Sequence, residues 1–275
     1  MRGWWQDLSD LVLPAECAGC GRSRTALCAR CSAVLRGAEP RRVRPRPAPS
    51  GLPVVFGAVP YRNAVRAVLL AHKERGALGL ARPLGEALAG AVRAGLVDGG
   101  AGGGGAGGRA PGGVVGPVTL VPVPSAPRAV RARGHDPTRR IAYAAAAELR
   151  RAGVAARVLA VLRQRRAVAD QSGLDARQRL VNVTGALEVV GGGRGLLTGN
   201  GRIVLVDDLI TTGASLAEAA RAIAAVTGSG KIEREDRPER DRSGTGPGKG
   251  NGSGEITFRA AVVAASPESF EINRN

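Results

Sequence analysis

The sequence predicts an α/β protein: a mostly parallel sheet with helices on both faces, preceded by a small amino-terminal four-cysteine module. Three observations carry this. Short apolar runs take turns with stretches whose apolar residues recur every three or four positions, the pattern of strands and helices alternating along a parallel sheet. The runs themselves, such as VTLVPVP and RIVLVDD, are near-continuous, as in strands buried on both faces. All four cysteines of the 275-residue chain fall within its first 31 residues.

In chain order, Val54–Val59 reads as a strand, and Asn63–Lys73 and Ala81–Gly95 read as helices with an apolar stripe. Val118–Pro124 is a short apolar strand, Pro137–Gly153 a helix opened by its proline, and Ala156–Arg163 a further strand. Arg202–Asp208 is a buried strand, Ser215–Val226 its helix and Ile256–Ala265 the last strand. Three Gly-rich or charged tracts interrupt this series, at Gly37–Gly51, Asp98–Gly116 and Thr227–Gly254. Their composition buries too little apolar surface to offset the entropy of ordering, so they are expected to be flexible linkers or loop insertions. The resulting division is an amino-terminal helix and zinc-binding module at 1–36, a basic Pro/Arg linker at 37–52, and an α/β domain at 53–275 with flexible insertions at 98–116 and 227–254.

Cys17, Cys20, Cys28 and Cys31 are spaced C-x2-C-x7-C-x2-C, which lets two knuckles bring four thiolates to the corners of a tetrahedron around Zn²⁺. Gly19 and Gly21 permit the tight turns. Two disulfides or a redox CxxC are the competing readings. The start MRGWWQDLSDLVLP breaks its apolar stretch with Asp7 and Asp10, unlike a secretory signal, so a cytoplasmic location and reduced cysteines are expected. No strand-then-helix context surrounds either CxxC as a redox motif would need. A zinc held by four cysteines has no open position, so its expected role is to fold the segment. No apolar run is long enough to span a bilayer, and no membrane insertion is expected.

The formal net charge is +17, and every basic residue except Lys73, Lys231 and Lys249 is arginine. Abundant Arg, Ala, Gly and Pro also suit a genome rich in G and C, so the surface charge has two readings. Whatever its origin, such a field attracts phosphates, nucleic acid or acidic partners.

Against this background the stretch Ile203–Ser215, IVLVDDLITTGAS, places two adjacent acids at the mouth of a buried strand. Thr211, Thr212 and Gly213 turn the chain and a helix begins near Ser215, its N–H groups and positive dipole end facing the turn. Backbone amides and threonine hydroxyls there can cradle a phosphate, with Gly213 allowing close approach. Asp207 and Asp208 suit instead the hydroxyls of a sugar, or Mg²⁺ bridging those hydroxyls to a diphosphate. A simple turn cap explains one acid more readily than two acids followed by Thr-Thr-Gly.

This stretch resembles the phosphoribosyl diphosphate (PRPP) loop of the type I phosphoribosyltransferases. The resemblance implies that Asp207 and Asp208 hold the ribose and act in catalysis, and that Thr211, Thr212, Gly213, Ala214 and Ser215 hold the 5′-phosphate. Together with LPAECAGCGRSRTALCARC, LVPVPSAPRAVRARGHDPTRRIA and LRQRRAVADQSGLDARQRLVNVTGAL, it is similar to the ComF family, phosphoribosyltransferase-like competence proteins with an amino-terminal zinc module. The match covers most of the chain outside the tracts. It departs where RARG is followed by His135 and Asp136 in place of an aromatic residue and Asn.

By this resemblance Arg128, Arg131 and Arg133 belong to a pyrophosphate loop, matching the affinity of arginine for charged oxygens. Arg163, Gln171 and Arg179 belong to a hood over the substrate, and Lys73 lines the same cleft. The implied cofactors are structural Zn²⁺ and Mg²⁺ bound with PRPP. The implied activity is transfer from PRPP, or another phosphorylated ribose ligand, to a nitrogenous acceptor. The alternative is a protein of DNA uptake that handles single-stranded DNA beside a helicase without phosphoribosyl turnover. A PRPP sensor is a third reading. His72 and His135 have no triad-like partner and are expected to be structural or substrate-adjacent.

Overall fold

The computed structural model of the chain describes residues 16–98, 116–166, 176–197, 202–228 and 258–270. The predicted alternation of strand and helix is present. Strands β1 (Arg41–Val43), β2 (Val54–Pro60), β3 (Val118–Pro122), β4 (Ala156–Val158), β7 (Arg202–Ile210) and β8 (Phe258–Ala265) form one sheet in the order β1-β2-β8-β7-β3-β4. All neighbours are parallel except β1, which runs antiparallel to β2. A separate antiparallel pair joins β5 (Leu162–Gln164) to β6 (Leu187–Val189).

The continuous apolar character of β7 follows from burial on both faces. Val204 and Val206 enter one core cluster, shared with Leu84, Leu88 and Ile141. Ile203 and Leu205 enter a second, shared with Leu216, Ile223 and Phe258. Neighbouring side chains thus go to opposite layers, as the pleat requires. Helices α2 (Asn63–Glu74), α3 (Ala81–Asp98) and α5 (Pro137–Arg151) supply the first layer, and α8 (Ala214–Thr227) the second. The contact of α3 with α5 is close: a methyl group at Gly85 would stand 2.5 Å from Ala144 Cβ and 2.8 Å from backbone atoms.

Two features differ from the sequence expectation. The tract 37–51, expected to be mobile, contains β1, whose Val43 is buried and pairs with Val55. Asp98 at the end of α3 ties that strand to the sheet, accepting from Arg42 at 2.5 Å and Arg259 at 3.1 Å. The basic composition of the tract is therefore used partly for ion pairs. The predicted strand 156–163 is two strands: the Leu159 N–H still donates to Leu120 O, after which the chain leaves the main sheet to pair with β6. No glycine or proline marks that crossing. The expected amino-terminal helix, before residue 16, and the tracts 99–115 and 229–257 lie outside the described residues.

The amino-terminal module carries α1 (Ala29–Arg36), which follows directly on Cys28. Leu35 of α1 is buried in the same core cluster as α3, and Arg36 lies 3.5 Å from Glu86 of α3. Among the described residues, no helix is long and apolar enough to cross a membrane.

Candidate functional site

Strand order places the crevice. From β7 the chain passes through α8 to β8 on one side, and from β3 through α5 to β4 on the other. The loops leaving the carboxyl ends of β7 and β3 therefore diverge, opening a crevice at the point where ligands bind in such sheets. A cleft of about 1040 Å³ lies there, lined among others by Asp207, Asp208, Thr211, Ser215, Arg128 and Arg133.

Asp208 is nearly buried, and its Oδ2 accepts from Lys73 Nζ at 2.9 Å. Asp207 Oδ1 accepts from the Asp208 N–H at 2.8 Å and lies 3.5 Å from the Thr138 hydroxyl, which donates to it. Burial first, and then the charge of Asp208, push the Asp207 carboxyl well above the usual carboxylate range. The charge of Asp208 holds the Lys73 ammonium above its ordinary value, against the opposing effect of burial.

After β7, Thr211 is exposed and Gly213 takes the left-handed conformation, φ 77°, immediately before α8. Gly213 is the N-cap of α8 and has no side chain to cap it; the Ala214 N–H donates to Thr212 Oγ1 at 3.5 Å, and Thr211 and Ser215 line the cleft. The turn is buttressed from outside: a methyl group at Gly213 would lie 3.0 Å from Leu52 and 3.3 Å from Pro45.

Facing it is the segment from Val123 to Asp136, with α4 (Pro127–Arg133) in its middle. Asp136 caps α5 by accepting from the Arg139 N–H at 3.1 Å, and also accepts from the Ser125 hydroxyl at 3.3 Å. One carboxylate thus joins both ends of the segment. Arg133 donates to Lys73 O and to Glu74 Oε1, and the His135 ring lies 3.2 Å from His72 O. These contacts fasten the segment to the last turn of α2, which carries Lys73. His72 itself is fully buried between Ala77 O and Pro137 O, and burial lowers its pKa.

The predicted residues are brought together unevenly. Asp207, Asp208, Thr211, Ser215, Arg128, Arg133 and Lys73 share the cleft. Arg131 is exposed on α4 and is not among its lining residues. Arg163 points to Glu188 at 2.9 Å across the β5–β6 pair, and its neighbour Gln164 lines the cleft. Arg179 lies on α6 (Ala176–Val183), with its side chain outside the described set, as is Gln171 altogether. A further stretch of the lining is Gln164, Val183, Ala186 and Leu187. Glu218 of α8 holds it in place, accepting from the Leu187 N–H at 3.0 Å, while Arg221 donates to Leu187 O and to Glu218. Sequence reasoning missed Asp136 and Glu218. The run Asp-Pro-Thr before a helix signals the first as a cap; the partner of the second is 31 residues away.

The four cysteines form the other candidate centre. All are free, and the sulfurs of Cys17, Cys20, Cys28 and Cys31 all lie within 4.8 Å of one another. Cys20 and Cys28 sulfurs are 3.6 Å apart, close to the edge of a tetrahedron with metal–sulfur bonds of about 2.3 Å. The donor set and its spacing fit Zn²⁺. The Cys28 N–H donates to Cys17 Sγ at 3.3 Å. Burial raises the Cys17 thiol, but backbone N–H groups of Cys28, Gly19 and Cys20 outweigh it and bring its pKa to about 6. Gly19 leaves room for the cluster, since a Cβ there would stand 2.7 Å from Cys31 Sγ. Four cysteines this close together could hold a metal such as zinc.

Compared with protein-family models and with curated proteins, the chain has no significant match.

Proposed function

We propose that the cleft binds a phosphorylated ribose carrying a diphosphate, PRPP, together with Mg²⁺, in a ComF-like protein with a type I phosphoribosyltransferase fold. The observation that supports it best is that one cleft is lined both by Asp207, Asp208, Thr211 and Ser215 and by Arg128 and Arg133. A ligand with hydroxyls in the middle and phosphates at both ends matches that division of charge.

In this reading the turn from Thr211 to Ser215 takes the 5′-phosphate on backbone N–H groups and hydroxyls. Asp207 and Asp208 take the ribose hydroxyls or the metal. Arg128 and Arg133 take the diphosphate, with Asp136 and His135 holding their segment against α2. Carboxylate oxygens are the hard donors that Mg²⁺ prefers; when bound, the ion would neutralise charge on the departing diphosphate. Transfer breaks the bond from ribose C1 to the diphosphate and forms one to a nitrogen of the acceptor. Positioning of the two reactants carries most of the acceleration, and no protein nucleophile is required.

Calorimetry with PRPP and Mg²⁺ tests the binding step. Saturable binding in the native chain, lost when both Asp207→Asn and Asp208→Asn are introduced, is the expected result. Absence of binding to the native chain would sink the proposal. Pyrophosphate release against a panel of bases and amines then tests turnover.

The net charge of +17 favours a second reading, a single-stranded DNA contact. Arg36 and Arg42 are engaged with Glu86 and Asp98, which removes part of the arginine-rich tract from that role. An affinity for single-stranded DNA that does not change with salt would exclude a phosphate-driven contact.

A further inference from the structure

We propose that Lys73 is a built-in counter-cation of the aspartate pair, so that the cleft takes up a divalent metal together with its diphosphate ligand and resists the metal alone. The inference deepens the reading of the cleft as a PRPP site and rests on it.

Lys73 Nζ sits 2.9 Å from Asp208 Oδ2. Asp208 has only 8% of its side chain exposed, whereas Lys73 has 37%. The carboxylate is therefore fixed in the wall while the ammonium reaches in from the rim. The backbone that carries Lys73 does not follow it, because Lys73 lies within α2 and the ring of His135 adjoins the neighbouring carbonyl, His72 O, at 3.2 Å. Any exchange of partner is thus made by the lysine side chain alone, a flexible four-carbon stem with three donors.

The charges near Asp208 then set the order of binding. With Lys73 in place, two carboxylates face one cation. A dication placed on Asp208 would stand a few ångströms from the ammonium, and like charges at that separation repel strongly away from bulk water. A diphosphate arriving with the metal changes the balance, because its oxygens offer the ammonium a new acceptor in the cleft that Lys73, Arg128 and Arg133 line together. Lys73 is thus a positioning residue: it keeps Asp208 oriented when the cleft is free, and it moves to the ligand when metal and diphosphate enter as one.

The test measures Mn²⁺, a paramagnetic stand-in for Mg²⁺, by loss of the free-ion resonance signal on titration. It compares the native chain, Lys73→Met and Lys73→Arg, each with and without inorganic pyrophosphate. The native chain is expected to bind Mn²⁺ weakly alone and more tightly with pyrophosphate. Lys73→Met is expected to bind Mn²⁺ alone about tenfold more tightly and to lose most of the gain from pyrophosphate, while Lys73→Arg, which keeps the charge, stays near native. The gain must disappear in the Lys73→Met, Asp208→Asn double variant, which ties it to this carboxylate. Lys73→Gln replaces the methionine variant if that chain does not fold. Equal Mn²⁺ affinity in the native and Lys73→Met chains overturns the inference. If the native chain still binds PRPP with Mg²⁺, that failure concerns Lys73 alone; if it binds no PRPP, the reading of the cleft falls too.

Discussion

The cysteine cluster and the aspartate pair are both groups of potential anions gathered at one point, and the chain neutralises them by opposite means. The thiols of Cys17, Cys20, Cys28 and Cys31 are drawn together on a short segment whose own small core consists of Cys17, Cys28 and Cys31 with Leu27 and Ala64 against them, Cys20 being exposed. The carboxylates stand at the end of β7, in the middle of a six-stranded sheet, with Lys73 supplied from α2. The first group is what an added cation would organise; the second is organised already. A metal at the cysteines is therefore expected to be part of the fold, whereas a metal at the aspartates is expected to be part of the ligand.

The largest effect should come from removing the metal of the first group. Chelation, or Cys17→Ser, is expected to abolish hydrogen-exchange protection across residues 16–36 while leaving that of β3, β7 and β8 in place, since structural zinc supplies the folding free energy of such segments. Loss of protection across the main sheet as well would break the comparison.

A third acid separates structural from ligand-facing carboxylates. Burial raises the Glu218 pKa, but Arg221 outweighs it, followed by the N–H groups of Leu187 and Gly185, and the net shift is downward. A depressed pKa means stability that is present above the unfolded value and lost as pH falls through the folded one. Glu218→Gln is expected to cost about 1–3 kcal/mol at neutral pH, because a nearly buried charge-assisted network loses its acceptor. It should also flatten the stability profile below about pH 4.3, the value of an unfolded glutamate. Urea unfolding at several pH values measures both.

The smallest effect has the opposite sign. Asp207 has a raised pKa, so the folded chain binds its proton more tightly than the unfolded chain, and stability falls as pH rises from the unfolded value of about 3.9 towards the folded one. Asp207→Asn removes that cost and keeps an oxygen for the N–H of Asp208. It is expected to raise the melting temperature of the ligand-free chain by a few degrees, equivalent to about 1 kcal/mol, and, if the proposed function holds, to weaken PRPP binding. An unchanged or lower melting temperature would place Asp207 with Glu218 as a structural acid.

How much of this was legible depends on the reach of each interaction. The apolar run of β7, its terminal acids and the Thr-Thr-Gly turn are local in sequence, and the structure keeps them local. The cysteine spacing is local too. The Lys73–Asp208 pair spans 135 residues, and nothing in HKERG signals a partner so distant. The segment Arg41–Val43 reads as linker because arginine and proline dominate its surroundings, and its strand character comes from pairing with β2 and from Asp98. Arg163 fits a cleft by its charge, but the two-residue period of a strand gave Gln164 that side and Arg163 the other.

The position of β1 matters for how the chain could be dissected. A fragment beginning at residue 53, where composition suggests the boundary, would leave the outer edge of β2 with its N–H and C=O groups bare over Val55–Gly57. An unpaired, buried-type apolar edge invites pairing with another chain. Trimming the arginine-rich tract is therefore expected to convert a self-limiting sheet into one that grows by association, a hazard of solubility rather than of stability.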